Sequence, residues 1–117
     1  MDELEIKNAV IESTHLGKDD NDCFSFNFGL NYGGTGQGTG YICLDHYNKK
    51  KEVRVGWEFG IDFIKGILDV VGVRTWEELK GKHIRVKSNN YKVAAIGNFL
   101  KDEWFDFDEF FKEHMNG

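Results

Sequence analysis

The chain has 117 residues, of which 40% are hydrophobic and 15% aromatic, so it has the length of one domain and enough apolar side chains for a core. Its formal net charge of −5 argues against duplex nucleic acid as a partner, because an acidic surface gains nothing from counterion release. Its apolar runs are a few residues long, far short of the roughly 20 needed to cross a bilayer, so no membrane association is predicted.

Residues 1–117 are predicted to form a single domain, since there is no internal repeat and no proline to stiffen a linker. The acidic N-terminus lacks a basic and then apolar leader, which favours a cytoplasmic location. The two cysteines, Cys23 and Cys43, are interpreted as reduced core thiols, as suits that compartment.

The first half of the chain predicts a β-hairpin. Residues 4–16 are interpreted as one or two strands, and residues 24–32 alternate apolar and polar side chains, which indicates a half-buried strand. A strand resumes at residues 41–44. A symmetric hairpin would place Leu30 opposite Cys43, which leaves the two cysteines on different faces.

The first clear helix is predicted over residues 59–71, where apolar side chains recur at steps of three and four. Residues 53–57 before it are either a short strand or the lead-in to this helix. Gly72 is placed for a left-handed C-terminal cap. Thr75 and Glu78 have the spacing of a capping box and predict a second, short helix.

A second hairpin is predicted further on. Residues 83–87 alternate strictly, Asn89 and Asn90 signal a turn, and residues 91–96 can return as a strand. Residues 107–115 show helical spacing. The predicted fold is therefore α+β, with a mostly antiparallel sheet, an amphipathic helix packed on one face and a short C-terminal helix.

A glycine-rich segment, residues 32–41 (YGGTGQGTGY), separates the two strands of the first hairpin and holds five glycines in eight residues. It matches neither the P-loop, because Thr39 stands where lysine is required, nor the dinucleotide-binding pattern. Two interpretations are equally supported: a flexible or bulged hairpin connection, or a loop whose N–H groups contact a ligand.

No catalytic residues, metal site or cofactor are predicted. Ser13, Ser25 and Ser88 lie in ordinary strand or turn contexts, and the four histidines lack the spacing that would gather a metal ion. The acidic and aromatic C-terminal run favours an amphipathic segment with an acidic outer face, and an apolar face larger than one core can cover would pack on another copy.

Three blocks, read together, resemble a known family. They are YGGTGQGTGY at residues 32–41, FIKGILDVVGVRTWEELKGKHIRV at residues 63–86 and AIGNFLKDEWFD at residues 95–106. In this order they resemble the phage Thoeris anti-defence protein 1 family. The resemblance covers the chain from about residue 32 to residue 106, and its specificity lies in the combination.

The resemblance implies a phage protein acting in the cytoplasm of an infected bacterium. Such a protein is a sponge that binds, without cleaving, the cyclic ADP-ribose isomer made by a TIR-domain enzyme, and so prevents activation of the downstream effector. Members of this family form homodimers that can assemble further, with ligand pockets near subunit junctions, and some also bind cyclic oligonucleotides.

The candidate ligand-binding residues follow from side-chain chemistry. Arginine can fork onto phosphate oxygens, asparagine can hydrogen-bond a base or ribose, and aromatic rings can stack on a base. The candidates are Arg85 and Arg74 for phosphate, Asn98 and Asn90 for base or ribose, and Phe99 and Tyr32 for stacking. The backbone of Gly33, Gly34 and Gly36, together with Gln37, is expected to line either a pocket or a subunit junction.

Two other functions are compatible with the sequence. The first is a phage inhibitor that binds a host protein through the acidic face of Asp106, Asp108 and Glu109. The second is a small hydrolase that degrades the nucleotide signal. The sponge is the interpretation that the resemblance and the lack of a recognisable catalytic set favour.

Overall fold

The computed structural model describes residues 3–115, and its centre is β1, a 14-residue strand at Glu5–Lys18. The other strands are β2 (Phe24–Asn31), β3 (Gly36–Gly38), β4 (Ile42–Cys43), β5 (Asp45–Asn48), β6 (Val53–Gly56), β7 (His83–Ser88), β8 (Val93–Asn98) and β9 (Trp104–Asp106). The helices are α1 (Gly60–Val71) and α2 (Phe107–Met115). The predicted α+β class with a mid-chain and a C-terminal helix is confirmed.

The main sheet is antiparallel and has the strand order β3-β2-β1-β7-β8-β9, with β4 also paired to β2. The length of β1 lets it pair with both predicted hairpins, along Val10 to Lys18 with β2 and along Glu5 to Val10 with β7. Strands β5 and β6 form a separate two-stranded sheet. One strand therefore joins the two halves of the chain.

Both helices pack on the same face of the main sheet. In α1 the side chains of Phe63, Ile67 and Val70 are buried, and Gly72 ends the helix in a left-handed conformation, as predicted. Strand residues from β1, β2, β7 and β8 complete the same core; they include Ile11, Phe26, Phe28, Ile84, Val86 and Ile96. This helical face buries most of the apolar side chains, and the other face of the sheet carries mainly polar side chains together with Ile6, Val10 and Trp104.

The glycine-rich segment joins two strands, as predicted, but it turns earlier than a symmetric hairpin would. Gly33 and Gly34 have positive φ angles, and the N–H of Tyr32 donates to the carbonyl of Thr35 at 2.8 Å. This tight turn pairs Leu30 with Gln37 instead of Cys43. The predicted register is wrong because the turn lies at the start of the segment, and the rest of it becomes β3.

The expectation that Cys23 and Cys43 are reduced thiols on different faces is also wrong. With the early turn, β4 pairs with the beginning of β2, so that Cys43 lies opposite Ser25. Cys23 is two residues before Ser25, which brings it to the same face by the alternation of a strand. The two cysteines form a disulfide, with their Cα atoms 6.1 Å apart.

Shorter elements depart from the predictions in detail. Strands β3, β5 and β9 were not predicted as separate elements, and residues 53–57 resolve as the strand β6. The predicted short helix is a single 3₁₀ turn at Trp76–Glu78, where the hydroxyl of Thr75 donates to the carboxylate of Glu78 instead of capping the backbone. Within residues 3–115, no helix has the length and apolar character to cross a membrane.

Candidate functional site

A row of residues crosses the face of the sheet that the helices leave uncovered. Asn8 pairs with Arg85, Arg85 with Gly97, and Gly97 with Trp104, so all four point to one side. Ile84, next to Arg85, points into the core, which puts the row on the opposite side. We call this surface the open face and define it by the side chains of Asn8, Val10, His83, Arg85, Lys87 and Trp104.

The indole of Trp104 is the centre of the open face. It lies so close to Gly97 that a Cβ atom there would be 2.6 Å from the ring, so only glycine permits this approach. Arg85 and Lys87 both lie over the same ring, with Cζ and Nζ at 4.9 and 4.3 Å from its centroid. Two cations are thus held beside one half-buried aromatic ring by cation–π attraction.

Arg85 is fixed by backbone carbonyls. Its Nε donates to the carbonyl of Asn98 at 2.9 Å, and its Nη2 donates to the carbonyl of Lys101 at 2.8 Å. These bonds use two of the five guanidinium N–H groups. Within residues 3–115 neither Arg85 nor Lys87 forms an ion pair. Both charges are therefore available to an anionic ligand.

Asn98 lies beside Arg85, but its side chain supports the neighbouring loop. Its amide nitrogen donates to the carbonyl of Val70 at 3.0 Å, and its oxygen accepts the N–H groups of Leu100 and Lys101 at 2.9 Å. These bonds tie the loop to the end of α1 and position the Lys101 carbonyl that holds Arg85. The structure thus gives Asn98 a positioning role next to the site.

Phe99 follows Asn98 and is 40% exposed, with its ring 5.4 Å from that of His83. The next residue, Leu100, is 89% exposed. His83 belongs to the open face, so Phe99 lies at its border. Of the predicted candidates, Arg85, Asn98 and Phe99 are therefore brought together.

Tyr32 and Gln37 lie on the other side of the sheet. The hydroxyl of Tyr32 donates to the side-chain oxygen of Gln37 at 2.7 Å, and Lys7 lies 5.0 Å from the centroid of the Tyr32 ring. Lys7 pairs with the buried Val86, which assigns it to the helical face. The Gln37 amide donates to the carbonyl of Asn89, so this pair fastens the glycine segment to the β7–β8 turn.

The glycines of the segment have mainly structural roles. The N–H of Gly33 donates to the side chain of Asn31 at 2.7 Å, Gly34 completes the turn, and Gly36 lies in β3. Gly33 also borders a shallow depression of about 300 Å³ on the open face, beside Val10 and other residues of that face. Gly33 and the adjacent Tyr32 are thus the residues of the segment that line this depression.

Arg74 and Asn90 are not part of this cluster. Arg74 is exposed and forms no hydrogen bond or ion pair within the described part of the chain; it follows Gly72, which lies beside the Asn98 amide. Asn90 is exposed in the turn between β7 and β8, at the opposite end of that hairpin from Asn98. Asn90 is thus separated from Arg85 by the length of the hairpin, whereas Arg74 follows a residue near Asn98 and is not one of the six side chains that define the open face.

Lys87 and Trp104 were missed as candidates. The strict alternation of residues 83–87 already placed Lys87 on the same face as Arg85, so the signal for this lysine was present in the sequence. Trp104 was assigned to the acidic C-terminal run, and only the pairing of β9 with β8 brings it to the open face. The pairing partner of a three-residue strand is not encoded locally.

A second concavity of about 440 Å³ lies on the helical side and is lined by aromatic rings. His46 stacks on Trp57 at 4.2 Å between centroids, and Phe59 and His114 lie further along. Its lining includes the carboxylate of Glu58 and no lysine or arginine. For a phosphate-bearing ligand the open face is better suited, because charge complementarity fixes where anions bind.

The acidic residues of the C-terminal run have local partners. Asp106 accepts the N–H of Glu109 at 3.0 Å and so caps α2, and Asp108 pairs with Lys92 at 3.4 Å. These contacts give Asp106 and Asp108 structural roles. The acidic-face function gains no support from them.

Asp45 and Arg54 form a half-buried ion pair beside the disulfide. Arg54 donates from Nε and Nη2 to Oδ1 of Asp45 at 2.9 and 2.7 Å, and the N–H of Phe24 donates to Oδ2 at 3.1 Å. Burial alone would raise the pKa of Asp45, but these hydrogen bonds and the charge of Arg54 outweigh it and lower the pKa below its ordinary value of 3.8. The folded state therefore favours the ionised carboxylate.

This lowered pKa predicts a dependence of stability on pH. The ionised carboxylate of Asp45 stabilises the folded state fully above pH 3.8, which is its ordinary pKa. This stabilisation is lost as the pH falls through the lower pKa of the folded state. Urea unfolding from pH 6 to pH 2.5 is expected to show Asp45→Asn less stable than wild type at pH 6, with the difference shrinking in acid. Asp69→Asn, at an exposed carboxylate on α1, is the control. A difference that stays constant over this range would contradict the assignment.

Comparison of the chain with protein-family models, with curated proteins and with solved structures finds no match. The chemistry of the open face and the resemblance of the three sequence blocks are therefore the basis for a functional proposal.

Proposed function

We propose that this chain is a phage anti-defence sponge that binds and sequesters, without cleaving it, a cyclic ADP-ribose isomer made by bacterial TIR-domain enzymes. Its site of action would be the cytoplasm of the infected host. The observation that carries the proposal is the pair of cations, Arg85 and Lys87, held over Trp104 on the open face.

The charge arrangement suits a diphosphate. Arg85 is held in place before any ligand arrives, because Asn98 and Lys101 supply carbonyl acceptors. A preorganised guanidinium loses little side-chain entropy on binding, and hydrogen bonds between charged groups are stronger than neutral ones. The negative net charge of the chain makes this local concentration of positive charge more selective for a small anion over a polyanion.

The open face also suits the rest of such a ligand. Asn8 offers an amide, Trp104 and the bordering Phe99 offer rings, and His83 offers a hydrogen-bonding imidazole. A sponge acts by mass action, so tight binding and slow release would be the properties under selection.

The depression on the open face is lined by Asn8, Val10 and His83 but not by Arg85, Lys87 or Trp104, so a single copy gives the two cations no enclosed pocket. The homodimer that the family resemblance implies would provide one. Small-molecule sites bury most of their ligand. Phe99 and Leu100 are apolar and exposed at the border of the open face, so a second copy packed there would cover them and deepen the pocket. The proposed unit is therefore a homodimer, and further assembly of dimers is compatible with it.

Removing the charge of Lys87 tests this site with little effect on the fold. Lys87→Gln is expected to weaken binding of a cyclic ADP-ribose isomer about tenfold in isothermal titration, because one charge-assisted contact to phosphate is lost. Arg85→Ala is expected to weaken binding at least as much, because it removes a charged group and also leaves the carbonyls of Asn98 and Lys101 without their hydrogen-bond donor. Lys65→Gln, on an exposed position of α1, is the matched control. Unchanged affinity in both Lys87→Gln and Arg85→Ala would remove the open face as the binding site.

A further inference from the structure

The Cys23–Cys43 disulfide lies in a charged environment that the proposed function does not use. Nη2 of Arg54 is 3.4 Å from the sulfur of Cys43 and 3.7 Å from that of Cys23. Asp45 holds this guanidinium and lies 3.2 Å from the Cys43 sulfur. A single arginine therefore contacts both sulfurs of the bond.

This contact favours cleavage of the bond by thiols. Thiol–disulfide exchange releases one protein sulfur as a thiolate, and exchange is faster when that thiolate is stabilised. The guanidinium of Arg54 gives this stabilisation to a thiolate on Cys23. On Cys43 the ionised carboxylate of Asp45, 3.2 Å from the sulfur, opposes a thiolate, so Cys23 is the favoured leaving group. In the dithiol state, the S–H of Cys43 would also find an acceptor in Asp45. Both redox states thus have polar partners in place.

The fold around the disulfide does not depend on the sulfur bond alone. The N–H of Phe24 donates to Asp45, and the N–H of Leu44 donates to the carbonyl of Phe24 at 2.8 Å. These bonds link the same two segments that Cys23 and Cys43 connect. Opening the disulfide would therefore leave the start of β2 attached to β4 and β5, which is the condition for a reversible reaction.

A small thiol has a place to bind nearby. A depression of about 290 Å³ adjoins Arg54 and includes Lys18, Asp22 and Val53 in its lining. Arg54 is engaged by Asp45, but Lys18 is exposed and its ion pair with Asp22 is long, at 3.8 Å. Exposed pairs of this kind contribute little, so the ammonium group of Lys18 can bind a carboxylate of an anionic thiol. Both cysteines are half-buried, so their sulfurs are not enclosed in the core.

We propose that Cys23 and Cys43 are a reversible thiol–disulfide exchange site for anionic low-molecular-weight thiols, with Arg54 stabilising the leaving thiolate of Cys23. A thiolate attacks the sulfur of Cys43, the bond between the cysteines breaks with release of the Cys23 thiolate, and a mixed disulfide forms on Cys43. A second thiolate then attacks the mixed disulfide. In sum, two small thiols give one small disulfide, and the two protons they lose are taken up by the protein dithiol.

A metal ion is the competing interpretation of this cluster. The ligand atoms of Cys23, Cys43 and Asp45 all lie within 4.8 Å of one another. The guanidinium of Arg54 is bonded to the same carboxylate oxygen and contacts both sulfurs, so its charge opposes a second cation there. Exchange chemistry accounts for the arginine, whereas a metal site does not.

The test follows reduction of the full-length oxidised protein by reduced glutathione, with alkylation and mass spectrometry to count free thiols. Wild type is expected to be reduced about tenfold faster than Arg54→Gln, with Arg54→Lys in between because it retains the charge. Arg74→Gln, at an exposed arginine, is expected to match wild type. Oxidised glutathione should then restore the disulfide. Equal rates in wild type and Arg54→Gln would overturn the proposal.

Two further measurements on the wild type keep the proposal testable if Arg54→Gln does not fold. The preference for glutathione over the neutral 2-mercaptoethanol is expected to fall when NaCl is raised from 0.05 to 1 M, since screening weakens ionic contacts. A preference that salt does not change would overturn the anionic-thiol site. Stoichiometric binding of Zn²⁺ by the reduced protein, with loss of reoxidation by oxidised glutathione, would overturn exchange in favour of a metal site.

Discussion

Phe63→Ala is expected to lower the free energy of unfolding by about 3–5 kcal/mol, the cost of removing a buried aromatic side chain and leaving a cavity. Phe63 is fully buried at the middle of the core, where α1 meets both the sheet and α2. Ring centroids 5.2–5.9 Å away surround it, those of Phe26, Phe105, Phe107, Phe110 and Phe111. So many rigid rings cannot easily collapse into the space, which places the cost near the top of its range.

Urea unfolding at pH 7 measures this effect, with Ile61→Ala as the matched control. Ile61 lies on the same helix but is 68% exposed, so its truncation is expected to cost less than about 0.5 kcal/mol. Similar losses in the two variants would contradict the packing of α1 described above.

Gly66→Val is the second substitution with a large expected effect, a loss of about 3 kcal/mol. Gly66 faces β9 from within α1, and a Cβ atom added there would lie 2.1 Å from the ring of Phe105. Glycine costs a helix about 1 kcal/mol relative to alanine, so its presence inside α1 is explained by this close approach. Valine recovers only part of that propensity and adds two methyl groups to the clash, so overpacking dominates.

A double-mutant cycle isolates the cause of this loss. Gly66→Val is expected to cost less in a Phe105→Ala background, because the ring that obstructs the new side chain is gone. Gly56→Val is the control, since a Cβ atom at Gly56 would have no atom within 4 Å. Additive losses from Gly66→Val and Phe105→Ala would show that the close contact is not the reason.

The parts of the fold with a strong local period were predictable. The helix α1 repeats its apolar residues at steps of three and four, and β2 and β7 alternate strictly, so each presents one face to the core. These elements follow from burial of apolar side chains, which the sequence pattern reports directly. Their agreement with the structure is accordingly close.

The pairing of short elements was not predictable in the same way. A turn three residues earlier in the glycine-rich segment pairs Leu30 with Gln37 and leaves Cys43 opposite Ser25, and this shift decides whether the sulfurs can bond. The segment offers five glycines at which to turn, with little difference in local energy among them. Contacts such as Gln37 with the carbonyl of Asn89 select one turn, and these are distant in the chain.

Only part of the candidate site was predictable from the sequence, because strand pairing also decides which side chains share a face. Arg85 and Phe99 were chosen for their chemistry, and the structure brings them to the same region. Tyr32 was chosen on equal grounds, but it lies on the helical face, because the alternation of β2 continues past Asn31 into the turn. Trp104 joins the open face through a strand pairing that no local pattern reports.

Sequestration without cleavage is the central claim, and one measurement tests it directly. The purified protein is titrated with cyclic ADP-ribose isomers by isothermal titration, and the complex is then denatured and the released nucleotide identified by mass spectrometry. The protein is expected to bind at least one isomer and to release it intact, in stoichiometric amount, on denaturation. Release of a cleaved product would indicate a hydrolase, and failure to bind any of the isomers would contradict the proposed function.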